Sequence, residues 1–178
     1  MEFKFPESSI VNNPHKIEGP MEEAKKSFYE FAKSKVKYLS RDEIKKWHKE
    51  TSGRDGYETT ASYIISFNTE EGGFEKWINN LEIMVNRDIF SLNGKDFSDI
   101  IPFVLEHDIY EAWLHAKKGA ASSLDVDKKH MLARRREFLL AAEQGLEDKF
   151  FEFMMAVAPG DEAEFRYALE YAKKKKKS

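Results

Sequence analysis

SDIIPFVLEHDIYEAWLHAKKG, residues 98–119, is the most apolar long segment of the chain and carries two of its five histidines. Its spacing predicts a central helix. Ser98 or Asp99 can cap it, Pro102 is tolerated only within its first turn, and Gly119 supplies a left-handed stop. At about 100° per residue, His107, Glu111 and His115 descend one face at i, i+4 and i+8, with Asp108 beside them. The remaining circumference is mostly apolar, from Phe103 and Leu105 through Ile109 and Tyr110 to Trp113 and Leu114. A helix of this kind should be largely buried. Its polar strip then needs a partner, which can be solvent, a polar neighbouring helix or an ion.

Working outward, the spacing predicts a mostly α protein: one single-domain bundle of six or seven helices. Residues 1–20, with Pro6, Pro14, Gly19 and Pro20, read as an extended arm. A helical domain over residues 21–172 and a basic tail over residues 173–178 complete the expected organisation. The first helix is expected at 21–39, where Phe28, Phe31, Lys35 and Leu39 recur at helical spacing. Ser40 followed by Glu43 forms a capping box and predicts a second helix from Arg41 to about Thr51, ended by Gly53. Tyr57 to Phe67 is rich in β-formers and predicts a strand. Phe74, Trp77, Leu81, Met84 and Val85 fall on one side of an amphipathic helix. Residues 88–93 read as a short strand or turn before Asn93-Gly94, so a small two-stranded β element is open between 57–67 and 88–93. Three more helices are expected after Gly119, broken near Gly145 and at Pro159-Gly160. The expected core includes Phe28, Phe31, Trp47, Ile64, Trp77, Leu81, Leu105, Ile109, Trp113, Phe138, Leu139 and Phe151.

The helix beginning near Asp125 can complement the polar strip. His130 and Glu137 are seven residues apart and share a face, Arg134 is adjacent, and Ala133 and Ala141 would allow a close approach of two backbones. His107, Glu111 and His130 would then form a set of two histidines and one carboxylate, with Glu137 as an outer group or alternative ligand. That set suits one divalent metal ion: zinc, iron or manganese. The same letters also read as an ordinary polar strip facing water, with His107 and Glu111 an i, i+4 pair and Glu137 an ion-pair partner of Arg134.

The His107-Asp108-x-x-Glu111 run resembles the HExxH helix of the zincin metallopeptidases. His107 matches the first ligand and Asp108 stands at the position of the general base, whereas Glu111 replaces the second histidine. The resemblance implies metal-dependent hydrolysis, with Asp108 deprotonating a water that the metal has acidified. His130 as third ligand comes from helix geometry and not from the resemblance. Arg41 and His48 stand at an Arg-x6-His spacing that resembles the ribonuclease motif of HEPN domains; a capping-box helix explains the same residues.

Composition narrows the chemistry further. With 178 residues and no cysteine, the chain can bury a core without staples, and disulfides, thiolate metal sites and cysteine nucleophiles are excluded. Taking Lys173, Lys174, Lys175, Lys176 and Lys177 from the 29 basic residues leaves 24 against 32 acidic ones, a body charge of −8. An acidic body disfavours a broad nucleic-acid face. The tail alone could bind an acidic protein or nucleic acid, which makes a non-catalytic interaction module the alternative function. No apolar run approaches the roughly 18 residues of a membrane span, and residues 1–20 lack a leader pattern, so no membrane contact and a cytoplasmic location are expected.

Overall fold

The computed structural model describes residues 20–52, 61–64, 81–118 and 126–176. Among them are six α-helices: α1 (Pro20–Lys33), α2 (Arg41–Ser52), α3 (Ile101–Lys118), α4 (Val126–Glu143), α5 (Glu147–Val157) and α6 (Glu162–Lys176). The strands are β1 (Val36–Leu39), β2 (Ala61–Ile64), β3 (Glu82–Asn86), β4 (Ser91–Leu92) and β5 (Lys95–Asp96). The protein is therefore mostly α, as its sequence predicts. None of the described helices is long and apolar enough to cross a membrane.

The β structure departs from expectation. β1, β3 and β2 form a three-stranded sheet in that order, β1 parallel and β2 antiparallel to β3. The expected helix over 21–39 stops at Lys33, where Ser34 N–H and Lys35 N–H fold back onto the carbonyls of Phe31 and Ala32. Val36 to Leu39 then pair with Ile83 to Asn86. Helical spacing had placed Met84 and Val85 on one side of a helix; in the structure Ile83, Met84, Val85 and Asn86 are all buried, as in a central strand covered on both faces. Residues 87–90 form a 3-10 turn instead of the expected partner for residues 57–67. Of that expected strand, Ala61 to Ile64 is β2, paired with β3. The rest of it, together with Phe74, Trp77 and the loop 119–125, lies outside the described residues.

Local signals that survive are those closed by short-range bonds. Ser40 N–H donates to Glu43 Oε2 at 2.6 Å and Glu43 N–H donates to Ser40 Oγ at 3.3 Å, which starts α2 as the capping box requires. Asn93 and Gly94 both take positive φ, 52° and 76°, the backbone of a tight hairpin turn between β4 and β5. Gly145, at φ 72°, ends α4, and Leu146 N–H reaches back to the Ala141 carbonyl at 2.9 Å in a Schellman closure.

The apolar residues of α3 divide between two cores. Phe103 and Val104 join the larger one, where α4, α5 and α6 contribute Phe138, Phe150, Phe153 and Phe165. Ile109, Ala112 and Trp113 join Ala24, Phe28, Phe31 and Ala32 of α1. Trp47, Leu105, Leu139 and Phe151, expected in the core, are half-buried. Phe138 is fully buried, its ring centroid 4.8 Å from that of Phe150 and 6.5 Å from that of Phe165. Phe138→Ala should cost about 3–5 kcal/mol, because the cavity it leaves is walled by three helices that cannot close in together. Urea unfolding checks this: a loss under about 1 kcal/mol would mean that the site collapses.

Candidate metal centre

α3 and α4 are joined by only seven residues, 119–125, and so return as antiparallel neighbours. Ala133 and Ala141 are fully buried on α4, which lets the two backbones approach. The polar strip of α3 is consequently turned away from water. His107, Asp108, Glu111 and His115 are all buried, opposite Lys129, Arg134 and Glu137 of α4, which are buried too. His130 is half-buried at the edge.

His107, Glu111 and His130 each bring one ligand atom to a common centre. His107 Nε2 is 3.2 Å from His130 Nδ1 and 3.5 Å from Glu111 Oε2, and His130 Nδ1 is 3.5 Å from the same Glu111 oxygen. The three candidate ligands expected from the sequence thus lie together. Glu137 does not join them. Its Oε2 lies 3.1 Å from His107 Nδ1, behind the ring, while its Oε1 accepts from Arg134 Nη1 at 2.6 Å. The approach to Nδ1 is off the N–H axis, so this contact is an ion pair more than a formed hydrogen bond. Glu137 stands outside the group of His107, Glu111 and His130 that could hold an ion.

The remaining polar groups extend the seam by one rung. Glu111 Oε1 faces His115 Nε2 at 3.8 Å, and His115 Nδ1 is 3.4 Å from the buried Lys129 ammonium. Asp108 is buried, and its Oδ2 has no hydrogen-bond partner among the described residues. The sequence pointed to His115 as part of the strip but gave it no role. It gave no sign of Lys129, whose neighbours Lys128 and His130 suggest an ordinary solvated turn, nor of Glu164, which α6 brings to 3.7 Å from His130 Nε2.

Charge is balanced tightly. Burial alone would lower the proton affinity of His107, but Glu137 and Glu111 outweigh it and raise the imidazole from 6.5 to about 9. Burial raises Asp108 from 3.8 to about 7, helped by Glu111 and Glu137 and opposed by His107. Glu111 and Glu137 are pushed up by burial, yet both end below the usual carboxylate value. For Glu111, the three histidine rings that face it decide it; for Glu137, the charges of Arg134 and His107 do.

Other sequence candidates lie elsewhere. Arg41 and His48 are on α2, which packs on β1 and β3, and Arg41 N–H donates to Asp88 Oδ2. The lysine run begins within α6, which stays helical to Lys176; Lys173 pairs with Asp148 at 2.7 Å and Lys176 with Glu147 at 3.1 Å. Compared with protein-family models, with curated proteins and with solved structures, the chain matches none of them.

Proposed function

We propose that this protein binds one divalent transition-metal ion in the α3–α4 seam, with His107, Glu111 and His130 as ligands, and that it uses the ion for hydrolysis with Asp108 as base. The observation that carries the reading is the triangle of donor atoms, with sides of 3.2, 3.5 and 3.5 Å. Ligand bonds of 2.0–2.1 Å at tetrahedral angles require sides of about 3.3 Å. An octahedral face of a two-histidine, one-carboxylate iron site, with right angles, requires about 3.0 Å. The triangle lies close to both geometries, so it suits zinc, iron or manganese alike, and zinc serves as the probe ion. Three protein ligands also leave one tetrahedral position for a water or substrate.

An ion held there would acidify a bound water and polarise a carbonyl or phosphoryl oxygen. Asp108 is the candidate for the proton-transfer role because it is a buried carboxyl directly following the proposed ligand His107. The resemblance of His107-Asp108 to the first two residues of HExxH supports the same role. The alternative, an interaction module acting through the lysine run, draws less support, because Lys173 and Lys176 are already engaged by Asp148 and Glu147.

The test is elemental analysis of protein purified without chelator, followed by a screen of ester and phosphate hydrolysis. About one zinc per chain is expected. Asp108→Asn should keep the zinc and lose about 10²–10⁴-fold in hydrolytic rate, the usual contribution of a general base. Protein that carries no metal and does not take up added zinc sinks the proposal. Zinc binding with Asp108→Asn at full rate removes Asp108 from the chemistry and keeps the ion.

A further inference from the structure

His130 is the ligand whose ring looks both into the seam and out of it. Nδ1 faces His107 and Glu111, and Nε2 faces two groups of opposite character. Arg134 Nη2 lies 3.2 Å away on α4, and Glu164 Oε2 lies 3.7 Å away on α6. A guanidinium only donates, a carboxylate only accepts, and an imidazole with one ring proton can satisfy only one of them. With Nε2 accepting from Arg134, the proton sits on Nδ1 and blocks the atom that would bind the ion. With the ion on Nδ1, the proton must sit on Nε2, where Glu164 is the acceptor and Arg134 has nothing to offer.

We infer that Glu164 is the positioning residue that completes the candidate metal centre: metal binding transfers the outer hydrogen bond of His130 from Arg134 on α4 to Glu164 on α6. The inference rests on the metal reading above. The ring loses a proton from Nδ1 and gains one at Nε2, so its proton count is unchanged. Arg134 remains held by Glu137 at 2.6 Å and by the face of Phe165 at 4.8 Å, and does not need His130. The present 3.7 Å is too long for a hydrogen bond, but the Glu164 side chain is 42% exposed, and a small change of its rotamer would cover the remaining distance. α6 packs extensively on α4, which fixes the helix that supplies this carboxylate. An outer carboxylate of this kind fixes the histidine tautomer and is worth about tenfold to hundredfold in metal affinity.

The experiment uses the full chain with nitrogen-15 histidine and added zinc. Long-range proton–nitrogen spectra should show the His130 proton on Nδ1 without zinc and on Nε2 with it. Glu164→Ala should weaken zinc binding about tenfold to hundredfold. Glu164→Gln, whose carbonyl can still accept, should recover part of that loss. Glu162→Ala, which removes an ion-pair partner of Arg166 on the same helix, should leave zinc binding unchanged. Zinc affinity unaltered in Glu164→Ala, or a His130 proton that stays on Nδ1 with zinc bound, overturns the inference and leaves the metal site standing. Wild-type protein that binds no zinc overturns both.

Discussion

His107→Ala should weaken zinc binding by about two to three orders of magnitude, whereas His115→Ala should weaken it by no more than about tenfold. Both residues are buried histidines on the same face of α3, one turn to either side of Glu111, so composition and burial do not distinguish them. Geometry does. His107 Nε2 is a corner of the donor triangle, 3.2 Å from His130 Nδ1, whereas His115 reaches only the far oxygen of Glu111 at 3.8 Å. A structural zinc site is worth about 10–16 kcal/mol in all, so one ligand of four carries about 2.5–4 kcal/mol, or roughly two to three orders of magnitude in affinity. Losing an outer partner costs far less, because Glu111 Oε2 keeps its place. Zinc titration with a competing chelator separates the two. The same contrast should appear in heat: a given excess of zinc should raise the melting temperature of His115→Ala more than that of His107→Ala, since stabilisation grows with affinity for the folded state. Equal losses in the two variants would mean that the centre of the site lies elsewhere along the strip.

The donor set was legible in the sequence because helix periodicity fixes which residues share a face. His107 and Glu111 at i, i+4, and His130 and Glu137 at i, i+7, needed only two helices and a short connection. What periodicity does not encode is which other helix comes to lie against the His130 ring. Glu164 sits among ordinary charged residues of α6, and its place beside His130 is a product of tertiary packing alone. The same limit explains the two misread segments. VKYL after Lys35 and EIMVN after Leu81 both fit a helical spacing. Each becomes a strand because the other lies beside it: Ile83 N–H donates to the Lys35 carbonyl at 3.3 Å, and the pairing runs from Val36–Ile83 to Leu39–Asn86. Local propensity separates helix from strand by about 1 kcal/mol per residue or less, and a partner more than forty residues away overrides it. The capping box at Ser40 and the Asn93-Gly94 turn read correctly for the opposite reason: their bonds close within four residues.

Arg134→Ala should be the most destabilising single change in the seam, at about 3–5 kcal/mol, a large part of the 5–15 kcal/mol that holds a typical domain together. Glu137 is 1% exposed, and its carboxylate depends on two cations, the Arg134 guanidinium at 2.6 Å and the His107 ring at 3.1 Å. Removing the first leaves a buried anion with one partner, and it also strips the packing of the guanidinium over Phe165. The cost comes from the charge left behind more than from the bond lost. Pairing Arg134→Met with Glu137→Leu removes both charges and fills the space, so the double variant should be much closer to wild type than Arg134→Ala is. Acid gives a second check. Because the Glu137 carboxyl lies below its ordinary value of 4.5 in the folded protein, its stabilisation is present above that value and lost as the pH falls through the folded one. The gap between wild type and Arg134→Ala should therefore be full at pH 7 and narrow as the pH falls, because the Glu137 carboxyl of the variant, without Arg134, takes up its proton at a higher pH than that of wild type. Urea unfolding of the three proteins at neutral and acid pH decides the matter. An Arg134→Ala variant within about 1 kcal/mol of wild type at pH 7 would mean that His107 alone compensates Glu137, and that Arg134 is dispensable to the seam.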